Sequence, residues 1–229
     1  MRAPSEDGYT VGVIGAGAMG QGIAQVAIQG GLRTFLYDSS TDAAAAAKST
    51  IFGRLQRSVE KGRLTTDEAH AAIERLEVVA AISSLSPCDA VIEAIVENLE
   101  IKRAVFRDVE SVVGPDCLLA SNTSSIPIAA IAQGCQERYR IGGMHFFNPV
   151  PVMRLVEVIR AAETSDLAVE RMTELGKAFG RTPVAVQDSP GFLVNMGGRA
   201  YTTEAMRVAS SPTGAARIGR VPSSGLTFS

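Results

Sequence analysis

The six residues GAGAMG, Gly15 to Gly20, follow directly on the apolar run YTVGVIG and open a stretch of helical character. Few joints constrain a chain more. Gly15 permits a tight turn, Gly17 lets a ligand approach the backbone, and Gly20 allows the new helix to pack closely on the strand it has just left. Ala16, Ala18 and Met19 complete the motif. A helix begun in this way offers free N–H groups to an anion such as a pyrophosphate. A second marker stands about twenty residues on, where Asp38 closes the run LRTFLYD and is suited to accept hydrogen bonds from ribose hydroxyls. Ser39, Ser40 and Thr41 follow it, with no arginine for a 2′-phosphate, so NAD is favoured over NADP.

The chain repeats this alternation. Strand-like runs at 9–15, 32–38, 75–79, 89–95, 117–122 and 140–146 are separated by helical stretches at 19–30, about 41–61, 99–113 and 126–132. Such a pattern builds βαβ units on a parallel sheet. With the glycine turn it predicts an α/β, Rossmann-type, doubly wound and mostly parallel fold over residues 9–189, after an N-terminal tail at 1–8. LVEVI (155–159) and PVAVQD (183–188), around a helix at 166–179, are expected to add strands at the sheet edge. GRLTTDEAHAAIERL (62–76) reads as a polar helical arm opened by the capping pair Thr65 and Glu68.

Composition excludes several classes. With 22 basic against 24 acidic residues there is no electrostatic case for nucleic acid or an anionic membrane. The acid-bearing start MRAPSEDGYT and the lack of ~18 uninterrupted apolar residues argue against a signal peptide and a membrane span, so a cytoplasmic protein is expected. Cys88, Cys117 and Cys135 stand far apart without CxxC spacing. They read as small buried residues rather than disulfides, and no metal site is expected.

Ligands of open α/β sheets collect beyond the carboxyl ends of the strands, so those ends repay attention. The fourth run leads into EAIVENLEIK, which places Glu93, Glu97 and Lys102 there. A lone acid at such a helix start is usually solvated and worth only ~0.3–1 kcal/mol. The fifth run ends in ASNTSSI, more hydroxyls than a helix cap requires. The sixth ends at His145, with Asn148 nearby in a loop stiffened by Pro149 and Pro151. Glu157 follows on the next run, where folding back would set it beside the imidazole. A carboxylate holding one ring nitrogen leaves the other to exchange a proton near neutral pH. Beside a nicotinamide site, such a base implies oxidation of an alcohol, or reduction of a ketone. His70, on the polar arm, has no comparable company.

GAGAMG with Asp38, EAIVEN with Lys102, SNTSS, HFFNPVPVMRLVEVI and DSPGFLVN together resemble, in order and spacing over about residues 9–208, the 3-hydroxyacyl-CoA dehydrogenase family with its bacterial 3-hydroxybutyryl-CoA members. The resemblance implies reversible, NAD-dependent oxidation of (S)-3-hydroxyacyl-CoA to 3-oxoacyl-CoA, in fatty-acid metabolism such as β-oxidation. It casts His145 as the base, Glu157 as its carboxylate partner, and Ser124 and Asn148 as hydrogen-bonding groups for the substrate oxygen beside the cofactor. By the same resemblance Glu97 and Lys102 meet the nicotinamide half, Lys61 and Arg54 lie near the coenzyme A phosphates, and Asn195 borders the site. A homodimer is implied for the family.

The end of the chain departs from the pattern. Where the family continues into a separate helical domain, this sequence reads NMGGRAYTTEAMRVA, with Met196 for an arginine and two glycines that weaken a helix by ~1 kcal/mol each. Residues 190–209 are expected to be a remnant linker helix, exposing Phe192, Leu193, Met206 and Val208, and 210–229 a disordered tail without that domain. Two readings follow: a dehydrogenase, or an NAD-binding module with little or no turnover. The β-hydroxyacid dehydrogenases share the glycine opening, but their GxxGxGxxxK run is absent here.

Overall fold

A computed structural model of the protein describes residues 1–189, 191 and 192. Five-residue β1 (Thr10–Ile14) and β2 (Arg33–Tyr37) flank α1 (Ala18–Gln29), and the arm follows as α2 (Thr41–Glu60) and α3 (Thr66–Glu74) before β3 (Leu76–Val79). Next come β4 (Ala90–Glu93), α4 (Leu99–Glu110), β5 (Leu118–Ser121), α5 (Ile128–Ala132) and β6 (Ile141–Phe146). The described chain then runs through β7 (Leu155–Arg160), α6 (Asp166–Ala178) and β8 (Thr182–Gln187).

The strands form one sheet in the order β3-β2-β1-β4-β5-β6-β7-β8. Neighbours pair in parallel except β6 and β7, which are antiparallel. The chain winds outward from β1 through β2 and β3, then returns to wind the other way from β4. That reversal opens a crevice above the ends of β1 and β4, where ligands of such sheets bind. Both expected edge strands, β7 and β8, are present.

The period-two alternation of the strands explains why helices cover both faces. Val11, Val13, Leu36, Ile92, Ala120, Met144, Phe146, Val156 and Val158 join a core with residues of α1, α2, α3 and α6. Ile14, Phe35, Val91, Leu119, Ile141 and Ile159 join a second core with residues of α4 and α5. This parity decides the chemistry. Glu93, Ser121, His145 and Glu157 each follow a residue of the first core along their strands, so all four project on the opposite face.

The arm carries the expected capping box: Thr65 Oγ1 accepts from the Glu68 N–H at 3.2 Å, and the Glu68 carboxylate accepts from the Thr65 N–H at 2.8 Å. Among the described residues no helix is long and apolar enough to cross a membrane. Leu193–Ser229 group as a second unit, and the expected linker helix, the tail and Asn195 lie outside the described residues. Phe192 corrects one expectation. Its side chain is only 1% exposed and packs into the α4 and α5 core.

Candidate active site

The three glycines of the first turn divide by what surrounds them. Gly15 has φ 104°, and a Cβ there would stand 2.5 Å from the Ala94 carbonyl oxygen; one on Gly20 would stand 1.7 Å from that of Gly15. Packing therefore demands both. A Cβ on Gly17 would meet nothing within 4 Å, so this glycine faces open space. Helix α1 starts there with no side-chain cap and no acid in its first turn, whereas α2, α3, α4 and α6 are capped by Ser40, Thr65, Asn98 and Ser165. Its N-terminal donors are left for an anion. Asp38 sits at the end of β2, with one carboxylate oxygen accepting from Ala16 N–H at 2.7 Å and the other from Ser40 N–H at 2.9 Å. A carboxylate has about four lone-pair positions, so acceptor capacity remains for hydroxyls. These residues fit a dinucleotide by backbone approach, anion site and acid together.

The antiparallel register of β6 and β7 sets His145 opposite Glu157. The ring Nδ1 lies 2.7 Å from Glu157 Oε2, and both side chains are buried, at 5% and 0% exposure. An ionised carboxylate only accepts, so Nδ1 carries the hydrogen and Nε2 presents its lone pair. Ser124 Oγ lies 3.1 Å from Nε2. The rings of Phe147 and Phe192 flank the imidazole at centroid distances of 4.6 and 5.7 Å.

A second polar cluster adjoins the first. Glu93, the last residue of β4, accepts from Lys102 Nζ at 2.6 Å, from Ile95 N–H at 2.7 Å and from Ser121 Oγ at 2.7 Å. Glu97 Oε1 accepts from Thr123 Oγ1 at 2.6 Å, Ser124 N–H at 3.0 Å, Ser125 N–H at 3.1 Å and Ser125 Oγ at 3.0 Å. Burial pushes the Glu97 carboxyl upward, but the Thr123 hydroxyl, the Lys102 charge and the Ser125 and Ser124 donors together hold it below its ordinary value. Glu97 thus fastens the loop that carries Ser124, whose hydroxyl meets the His145 imidazole.

A cleft of about 490 Å³ runs from Ala18, in the first turn of α1, past Arg54, Arg57, Lys61 and Arg63 to Asn148 and Pro149. Asn148 is exposed on it, three residues beyond His145. Arg54 is engaged on one side, donating to Gln21 Oε1 at 2.9 Å, while Gln21 Nε2 donates to the Ala16 carbonyl at 2.9 Å. Among the described residues no group of three or more His, Cys, Asp or Glu is placed to hold a metal ion.

The strand ends mark Glu93 and the ASNTSSI cluster but assign no individual part to Glu93, Ser121, Thr123 or Asn122, whose Oδ1 accepts from the Phe146 N–H at 2.8 Å. The available signal was polarity at the ends of apolar strands, where buried groups must find partners. It marks the cluster but does not pair its members.

The family model for "3-hydroxyacyl-CoA dehydrogenase, NAD binding domain" matches residues 10–189. The chain belongs to this family. Its dinucleotide is therefore NAD, and the glycine turn and Asp38 are the residues that fit it. The 3-hydroxyadipyl-CoA dehydrogenase of Escherichia coli is 43% identical over 209 residues, 91% of this chain but 44% of that protein. A probable 3-hydroxybutyryl-CoA dehydrogenase of Deinococcus radiodurans is 44% identical over 184 residues, 80% of this chain and 66% of its own length. The crystal structure of 3-hydroxybutyryl-CoA dehydrogenase from E. coli superposes with a TM-score of 0.86 at 43% identity, covering 89% of this chain and 43% of that one. The (S)-3-hydroxybutyryl-CoA dehydrogenase from Ralstonia eutropha gives 0.85 at 39% identity, over 89% and 73%. The chain thus spans about half to two-thirds of the length of the curated relatives it matches.

Proposed function

We propose that the protein carries the chemistry of an NAD-dependent dehydrogenase of (S)-3-hydroxyacyl-CoA thioesters, with His145 as general base. One observation carries the reading: a buried imidazole held at Nδ1 by Glu157 (2.7 Å) and met at Nε2 by the hydroxyl of Ser124 (3.1 Å). In oxidation, Nε2 takes the proton of the 3-hydroxyl, and Glu157 stabilises the imidazolium that forms. Bound NAD would supply the hydride acceptor for the same carbon. Ser124 and Asn148 are suited to donate to the substrate oxygen, steadying the charge that grows there as the proton leaves. In the reverse direction the imidazolium returns the proton to the ketone oxygen.

Lys61, with Arg57, Arg63 and less directly Arg54, supports the substrate class, because a cleft lined by four cations suits a polyphosphate such as coenzyme A. Glu97 and Lys102 border the nicotinamide side in this reading, Lys102 through Glu97 because its own ammonium is buried.

The test is NADH oxidation with acetoacetyl-CoA, by absorbance, in the wild type and in His145→Ala, with NADH binding followed by fluorescence. Turnover lost in the variant with binding retained is the expected result. A second reading is a cofactor-binding module with little or no turnover; binding without turnover in either protein would support it.

A further inference from the structure

Two carboxylates at the end of β4 share one ammonium, and they share it unequally. Lys102 is 1% exposed, with Nζ 2.6 Å from Glu93 Oε1 and 3.4 Å from Glu97 Oε2. Glu93 is sealed in, 2% exposed, and its other oxygen is occupied by the Ser121 hydroxyl. Glu97 is 40% exposed and is tied by its Oε1 to the backbone of Ser124, the residue whose hydroxyl meets the base. Two anions against one cation leave one unit of negative charge. Because Coulomb attraction favours the shorter, drier contact, the cation is committed to Glu93 and the excess charge stays on Glu97, the member that faces the open site.

We infer that Glu93 is a positioning residue that sets the preference for oxidised over reduced cofactor: by holding Lys102 on its own carboxylate it leaves Glu97 charged beside the nicotinamide ring. The ring of NAD⁺ is cationic and that of NADH is neutral, so a carboxylate at this place favours the oxidised form alone. The inference rests on His145 as the base, since the hydride acceptor must lie against the carbon whose hydroxyl His145 deprotonates, and Glu97 is fastened to the loop at that point.

Charge counting separates this role from a structural one. Glu93→Gln releases Lys102 to neutralise Glu97, giving a local charge of zero. Glu97→Gln gives zero directly. The double variant Glu93→Gln/Lys102→Met replaces the buried pair by neutral side chains of similar size, a change such sites often tolerate, and returns the charge to minus one on Glu97. The readout is the ratio of dissociation constants for NAD⁺ and NADH, with NADH titrated by fluorescence and NAD⁺ by its displacement, using the full chain. Both single variants are expected to raise the ratio roughly tenfold with NADH binding within about twofold of wild type, and the double variant to restore it. An unchanged ratio in either single variant, or equal weakening of both cofactor forms, overturns the inference. Should Glu93→Gln fail to fold by circular dichroism, Glu97→Gln and the double variant decide. A double variant whose ratio falls well below wild type would mean that Lys102 had been neutralising Glu97, and would also overturn it. Wild-type turnover of acetoacetyl-CoA is measured in parallel: its absence counts against the dehydrogenase reading, whereas an active enzyme with an unmoved ratio counts against this inference alone.

Discussion

His145 Nδ1 lies 2.7 Å from Glu157 Oε2, across the one place among the described strands where the sheet turns antiparallel. The pairing is a register effect. Because β7 runs back along β6, Glu157 becomes the direct cross-strand neighbour of His145, on the same face, with both side chains buried. A carboxylate so placed fixes which ring nitrogen carries the hydrogen.

Glu157→Gln is therefore expected to lower kcat about a hundredfold or more, within the range by which a positioned base accelerates a reaction. The amide keeps the shape but can itself donate to Nδ1, which would move the ring hydrogen to Nε2 and block proton uptake. Steady-state kinetics with acetoacetyl-CoA and 3-hydroxybutyryl-CoA check this, alongside NADH titration. A variant with wild-type kcat would remove Glu157 from the mechanism.

Much of this site is legible from strand ends. Gly15 to Gly20, Asp38, Ser124 and His145 announce themselves because polar or backbone-permissive residues interrupt apolar runs at the edge where ligands bind. The partnership of His145 with Glu157 is half legible: twelve positions separate them, and only the return of β7 onto β6 puts them in contact. The Glu93 and Lys102 pair is hidden for a different reason. Nine positions apart, they read as a strand-end acid and a helix-face lysine, and burial depends on strand parity and on Ser121 arriving from β5. Arg54 is likewise half withdrawn from the cleft by Gln21, a neighbour 33 positions away that no local pattern shows. The burial of Phe192 beside the imidazole is tertiary packing, which helical periodicity cannot foretell.

The basic cleft makes a prediction about the carrier rather than the acyl group. Lys61→Ala is expected to raise KM for acetoacetyl-CoA several-fold with little change in kcat, and the effect should shrink as salt screens the charge. Acetoacetyl-pantetheine, which lacks the nucleotide phosphates, should show no such difference between wild type and variant. Equal effects on both thioesters would mean that the cleft does not read phosphate.

The thiols should be inert in the folded protein. Cys88, Cys117 and Cys135 are all buried and unpaired with one another. Burial, and next the charge of Asp89, pushes the Cys88 thiol up to about 12; burial and then Glu110 do the same for Cys135, and burial raises Cys117 further. Reaction of a thiol needs the thiolate, so a disulfide reagent at neutral pH should label none of the three quickly. Labelling should reach all three in denaturant, and fast native labelling would contradict the packing.

Glu97 gives the fold a pH dependence whose sign follows from its partners. Its folded carboxyl is held below the ordinary 4.5, so it adds stability above that value and loses the addition as pH falls through its folded pKa. With the side chain 40% exposed, solvent screening keeps the contribution small. Glu97→Gln should therefore melt below wild type near neutral pH, and the gap should close as pH falls from the ordinary 4.5 through the lower folded pKa of the wild-type carboxyl. Thermal melts of the two proteins across that range test it. A gap that stays constant or widens in acid would show that the loop at Ser124 and Ser125 does not depend on the Glu97 charge.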